Sequence, residues 1–286
     1  MEQDAFKELV SFEIERFVQE DESNRLELLD NSQIYQKSLV GFVSGDDSIF
    51  LQLKTVIGKF HLTPREALTK ICQVPRDSSI GVISYILPIS QATRDQNASM
   101  ADKPSERWAH TRLFGQQFND KLQLHVVAFL EQQGFVACAP DLEKSIFKQI
   151  MDKKVGWAST WSQRHVAYAA GLGTFGLSDG LITPVGKAHR IGSVVVNQQL
   201  DSLPDRSEDI HANCTYFQTG GCMACARRCP AGAITENGHD KNKCGEFVFS
   251  QTDYIRETYG INMYACGLCQ TGVPCERGIP VKKDDE

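Results

Sequence analysis

The chain has 286 residues, is 41% hydrophobic, and sets 30 basic against 36 acidic residues for a net charge of −6. That length sustains one large core or two smaller ones, and no basic tract of the kind that tracks a phosphate backbone is present, so a general nucleic-acid binder is not expected. No run of about 18 apolar residues occurs, so no membrane partner is expected.

The start, MEQDAFKELVSFEIERF, lacks the basic head and continuous apolar stretch of a secretion signal, and a cytoplasmic protein is expected. Residues 5–19 read as a helix. Thr63-Pro64 places a hydroxyl and then a proline at the start of another. Asp46-Asp47 reads as a turn with a cap, not as a carboxylate pair for acid–base work. SIGVISYIL (79–87) is short, apolar and β-rich, as in a buried strand. Residues 90–107 are polar and read as irregular. Phe114, Phe118, Leu122, Val126 and Phe129 recur at helical spacing, predicting a helix of about 111–133 that ends at Gly134. FVACAP (135–140) and IGSVVVN (191–197) read as strands, with SQRHVAYAA as a helix between them. Strands alternating with helices predict an α/β or α+β fold.

Cysteine usage then changes. Residues 1–213 hold only Cys72 and Cys138, whereas residues 214–286 hold eight. The joint lies in the polar stretch NQQLDSLPDRSEDIHAN. We therefore divide the chain into an α/β cofactor or substrate part, residues 1–205, and a ferredoxin-like part with two [4Fe–4S] clusters, residues 206–286. In a reducing compartment clustered cysteines mean metal or redox chemistry more often than disulfides. Cys72 and Cys138 sit in apolar surroundings and read as inert core residues.

The spacings are C-x7-C-x2-C-x3-C-P (214, 222, 225, 229), then Cys244, then C-x2-C-x5-C (266, 269, 275). A bacterial ferredoxin run is C-x2-C-x2-C-x3-C-P, and its fourth cysteine ligates the other cluster. By that logic one cluster takes Cys214, Cys222, Cys225 and Cys275, and the other takes Cys229, Cys244, Cys266 and Cys269. Glycines 220, 221, 267 and 272 flank the ligands and let backbone N–H groups approach the sulfurs. AGAIT, after the Cys-Pro, suits a short helix. The rival is structural zinc, which also uses paired C-x2-C knuckles.

AAGLGTFG contains a formal G-x-G-x-x-G. A dinucleotide site needs a strand before it and a helix after it, and neither is expected here. The alternatives are a helix C-cap with a tight turn and a backbone-rich loop that admits a flat cofactor. His110, His165 and His189 could donate protons or be satisfied structural residues. Arg164 and Arg190 could hold an anionic group or be interface charges. Tyr168 and Trp157 read as packing groups, and the terminal KKDDE as solvated.

Two ferredoxin-type sites after an α/β part carrying RHVAYAAGLGTFG (164–176) resemble the epoxyqueuosine reductase family and, more distantly, the corrinoid part of reductive dehalogenases. The resemblance spans roughly residues 75–280. It implies cobalamin bound between the two parts, one cluster reducing the cobalt to its nucleophilic Co(I) state, and a cavity lined by Gly171, Leu172, Gly173 and Gly176. The family's catalytic aspartate falls at Leu113, which cannot donate a proton. Asp102, Glu106 and Asp120 are the nearest acids, and no catalytic residue is assigned. The family's tRNA-gripping tail has no counterpart after Cys275, so tRNA is not expected as a partner. The expectation is an iron–sulfur oxidoreductase acting on a small molecule or unknown substrate, fed by a ferredoxin- or flavodoxin-like donor. The alternative is an electron-transfer or redox-sensing protein without corrinoid or catalysis of its own.

Overall fold

The computed structural model describes residues 1–75, 77–201 and 205–281. Three residues of the joint and the KKDDE end lie outside them. Helix α1, Gln3–Glu20, buries Phe6, Val10, Ile14, Phe17 and Val18 at spacings of one, three and four. Strand β1, Leu39–Ser44, leads to α2, Ile49–Val56, where the Asp47 carboxylate accepts from Ile49 N at 2.9 Å in the expected turn. Helix α3, Pro64–Cys72, opens on a capping box. Thr63 Oγ1 accepts from Glu66 N at 3.2 Å, and Glu66 Oε2 accepts from Thr63 N at 2.8 Å. Strand β2, Gly81–Pro88, is buried throughout.

The stretch expected to be irregular holds α4, Gln91–Ala98. Tertiary contacts override its polarity: Asn97 Nδ2 donates to Thr271 Oγ1 at 3.0 Å and buried Arg94 faces Glu276. Helix α5, Glu106–Gln132, begins earlier than periodicity indicates because Ser105 Oγ caps Trp108 N at 3.2 Å. Then come β3, Ala137–Cys138, the hairpin β4, Gln149–Asp152, with β5, Gly156–Ser159, and helix α6, Gln163–Ala169. The pair β6, Thr174–Phe175, and β7, Leu181–Ile182, precedes β8, His189–Val196.

The main sheet has the order β1-β2-β8-β3 and is antiparallel at every junction. Of the two expected classes the fold is therefore α+β. A buried strand reads alike in parallel and antiparallel sheets, so apolar runs could not choose between them. Ile83, Tyr85, Leu87, Val194 and Val196 pack against α1 and α5. Val82, Ile86 and Val195 pack on the other face with residues of α2, α3 and α6.

The C-terminal segment carries α7, Thr215–Thr219, α8, Ala224–Arg227, the hairpin of β9, Ile234–Thr235, with β10, Gly238–His239, and α9, Lys241–Tyr259. The helix expected over AGAIT is instead a turn running into β9. Asn237-Gly238 is a hairpin signal, and Gly238 takes a φ of +110°. Ile255, Ile261 and Ala265 enter the same core as α1 and α5. Cys72 and Cys138 lie side by side, and the Cys72 thiol, then burial, push the Cys138 pKa well up.

His61 is fully buried, and its Nε2 accepts from Ser162 N at 3.1 Å. Burial and the nearby Lys54 ammonium push its pKa down to about 4. Unfolded chains therefore protonate first. This contribution is complete above the unfolded value of about 6.5 and is lost as pH falls toward 4, on the order of 3 kcal/mol. Urea midpoints should fall between pH 7.5 and pH 5, and His61→Gln, which keeps an acceptor, should reduce that dependence by the share of His61.

Candidate functional site

Cys214, Cys222, Cys225 and Cys275 line one small cavity. The thiol of Cys225 is pushed up by burial, against the pull of Lys187, and up again by Cys214 and Cys222. Cys275 feels burial first, then Lys187, then Cys225. Of the second group, Cys244, Cys266 and Cys269 share the wall of a larger cavity, with Cys229 near Cys266. Burial raises Cys266 to about 11, with Cys244 and Cys229 adding to it, and raises Cys269 to about 12 against the pull of Lys187, with Cys266, Cys244 and Cys225 adding to it. Buried thiols are poor acids, and a bound cationic centre supplies the charge that lets them ionise. Among the described residues, no three His, Cys, Asp or Glu side chains draw together tightly enough to grip one ion. The first four thiols line one space. The donor set is all sulfur and fits iron–sulfur clusters.

Backbone devices hold these loops. Gly267 has a φ of +69°, and a Cβ there would lie 1.9 Å from Trp108 Cε2. Only glycine lets the chain between Cys266 and Cys269 lie on the indole. Gly186, at φ +88°, comes so near Glu276 that a Cβ would meet its carbonyl oxygen at 2.0 Å. Arg228 gathers four carbonyls: Met100 O at 2.7 Å, Thr271 O and Asn97 O at 3.1 Å, and Leu268 O at 3.3 Å. The Asp179 carboxylate joins His239 Nδ1 at 3.3 Å and Lys241 Nζ at 3.7 Å.

Lys187 was missed by sequence reasoning, and nothing in PVGKAHR marks it. It is 3% exposed, lines both cavities, and donates from Nζ to Ser178 Oγ at 3.0 Å. Burial disfavours its charge, but Cys275, Cys269 and Cys225 outweigh that and raise its pKa. It is a buried ammonium shared by both thiol groups.

The larger cavity, about 630 Å³, lies between α5, the start of β8 and the C-terminal loops. That volume is within the range of small-molecule and cofactor sites. Cys244, Cys266 and Cys269 form part of its wall, as do Arg112, Arg190, Asp120 and Asp141. Burial raises the pKa of Asp120, against Gln116, Arg112 and Arg190. Burial likewise raises Asp141, against hydrogen bonds from Gln163 and Gln123. Both acids hold protons to higher pH than free carboxylates. Arg190 Nε, His189 Nδ1 and Asn119 Oδ1 are buried without hydrogen-bond partners. A corrinoid, edged with amides, fits such a wall.

Gly171, Leu172 and Gly173 are not on this wall. Gly171, at φ +75°, follows the end of α6, Leu172 packs over Gly41, and a Cβ on Gly173 would meet Ile182 O at 2.4 Å. Gly176 borders the thiol cavity. Arg164 lines the larger cavity and donates to Asp179 O. His189 Nε2 donates to Leu181 O at 2.9 Å, and burial lowers its pKa to about 4. His165 is bonded to Ser162 Oγ at 2.8 Å, and burial brings its pKa to about 3. His110 is buried beside Phe114. Tyr168 OH donates to Ser207 O at 3.1 Å, and Trp157 stands edge-on to Phe249. Leu113 packs toward the main core, and Asp102 is exposed. Asp120, one of the three nearest acids, is the one that reaches the cavity.

No family model matches the chain. It is 30% identical over 167 residues to the epoxyqueuosine reductase of Staphylococcus aureus, covering 56% of this chain and 38% of that protein. It is 28% identical over 218 residues to that of Bacillus cereus, covering 72% and 50%. The chain thus spans half or less of the length of these curated relatives. Its fold is shared with a crystal structure of epoxyqueuosine reductase with a tRNA-Tyr epoxyqueuosine-modified tRNA stem loop, at a TM-score of 0.50 and 18% identity, covering 97% of this chain and 67% of that one. These findings overturn the expectation that excluded tRNA. Net charge is a chain-wide average, whereas an RNA loop meets only local groups, and Arg112, Arg164 and Arg190 stand together on one cavity. Among the described residues no helix is long and apolar enough to cross a membrane.

Proposed function

We propose that this chain, a relative of the epoxyqueuosine reductases, is an iron–sulfur oxidoreductase that passes single electrons through two [4Fe–4S] clusters to a corrinoid in the larger cavity. One observation carries this: a group of cysteines opens directly onto a cavity that also holds two acids whose pKa burial raises. Cys214, Cys222, Cys225 and Cys275 hold the outer cluster. Cys229, Cys244, Cys266 and Cys269 hold the one facing the cavity. By the name of its relatives, the substrate we propose is an epoxide-bearing nucleoside presented on an RNA stem loop.

When bound, the clusters supply electrons singly and the corrinoid supplies a strongly reducing centre. The chain's own groups do the rest. Asp120, its pKa raised by burial, is placed to give a proton from a carboxyl oxygen to an alkoxide that develops on epoxide opening. Trp108 and Ile89 cover part of the wall and limit water. Lys187 offsets negative charge as each electron arrives. A cavity with charged walls speaks against the alternative of a decayed site that only relays electrons.

Anaerobic reconstitution with iron, sulfide and cobalamin tests the proposal. The expected product has a broad iron–sulfur absorbance, bound cobalt, and turnover of an epoxyqueuosine-bearing stem loop. Two zinc ions per chain with no acid-labile sulfide would sink it. Lys187→Met should shift both cluster midpoints to more negative potential, on the order of tens of millivolts, as read by redox titration with electron paramagnetic resonance.

A further inference from the structure

We propose that Arg112 and Arg190 form a subsite for an oxyanion, a phosphoryl or carboxyl group on the molecule that enters the larger cavity. The inference takes from the functional proposal only that this cavity receives a ligand. It does not depend on the clusters.

Guanidinium groups stay charged at any physiological pH, and a buried one needs a partner. Buried Arg94 faces Glu276 at 4.0 Å, half-buried Arg206 faces Asp47 at 3.3 Å, and half-buried Arg228 is held by four carbonyls. Among the described residues, Arg112 and Arg190 have no carboxylate within ion-pair distance, yet they lie close enough to repel each other. Arg190 Nε is buried without a hydrogen-bond partner. Arg112 Nη2 donates to Tyr264 OH at 3.1 Å, and its guanidinium lies 5.0 Å from the centre of that ring. Those contacts fix its plane but leave its charge unmatched. The acids on the wall, Asp120 and Asp141, stand beyond ion-pair distance of both arginines, although Arg112 and Arg190 pull on the Asp120 carboxyl against its burial.

Two cationic forks on one wall, one with a free N–H, suit a planar or tetrahedral oxyanion that accepts from both. Burial, with Arg112 beside it, draws Arg190 down to about 10, a penalty that an anion would relieve. The orphaned acceptors His189 Nδ1 and Asn119 Oδ1 lie on the same wall. They would take donors from the remainder of the ligand, so the subsite orients as well as attracts.

The test uses the full chain, prepared anaerobically, with the fluorescence of Trp108 on the cavity wall as reporter. Inorganic phosphate and acetate are titrated separately at ionic strength held constant with chloride. A saturable change is expected, weakened at least tenfold in both Arg190→Gln and Arg112→Gln. Arg190→Lys, which keeps charge without the fork, should fall between. Lys59→Ala, an exposed cation away from the cavity, should bind as the parent does. Tighter phosphate assigns a phosphoryl group, and tighter acetate a carboxyl group. No saturation by either probe, equal effect from chloride, or parent-like binding in both glutamine variants would overturn the subsite. Thermal melts check folding, and Arg112→Gln carries the test if Arg190→Gln unfolds. Oxyanion binding that survives in protein unable to take up iron would defeat the redox proposal and leave the subsite standing.

Discussion

Gly267→Ala is expected to remove the cavity-facing cluster while sparing the other. The residue sits one position after Cys266 and two before Cys269, at φ +69°, with the Trp108 indole where a Cβ would go. An alanine must leave the left-handed region or displace a ring that is 5% exposed. Either movement shifts both neighbouring thiols, and a cube tolerates little displacement of its ligands. Reconstituted protein should drop from about eight to about four iron atoms per chain. The control is Gly220→Ala, also at positive φ (+72°) but with nothing within 4 Å of its Cβ. It should lose only about 1 kcal/mol and keep its iron. Equal iron in Gly267→Ala and parent protein would refute the assignment of Cys266 and Cys269.

The second large effect is expected at Asp120. It is the acid that reaches the larger cavity from α5, and burial raises its pKa. If it protonates the substrate, Asp120→Asn should lower turnover of the stem loop by about 10²–10⁴-fold. Cluster content and spectra should be unchanged. The descending limb of the pH–rate profile should vanish with it. Asp141→Asn separates the two acids. If Asp141 is the donor, the larger loss and the altered profile move to that variant.

How much of this was legible beforehand follows from the range of the signals. The capping box at Thr63 and the apolar stripe of α5 are local, and both appear where spacing put them. Strand β1 was invisible because LVGFVS reads like any short apolar stretch until β2 lies beside it. Helix α4 has no apolar face to detect, since Asn97 and Arg94 are held by the distant Thr271 and Glu276. At the site, the eight cysteines announced themselves by type and spacing. Arg164 and Arg190 could be named as possible anion holders, but Arg112, Asp141 and Lys187 could not, because each matters only through neighbours brought from elsewhere in the chain. The glycine block was the ambiguous case. G-x-G-x-x-G reports a need for close backbone approach without saying to what, and here Gly173 meets the Ile182 carbonyl.

The position of β8 bears on how the protein is made. It is the last strand of the main sheet in sequence, yet it lies between β2 and β3. A chain emerging from the ribosome holds both neighbours apart until residue 189 has been synthesised, and the core still lacks Ile255 and Ile261. Such late, long-range closure slows folding. Loading of the proposed clusters would therefore follow closure of the sheet by β8, and nascent chains truncated before residue 189 should be unusually sensitive to protease.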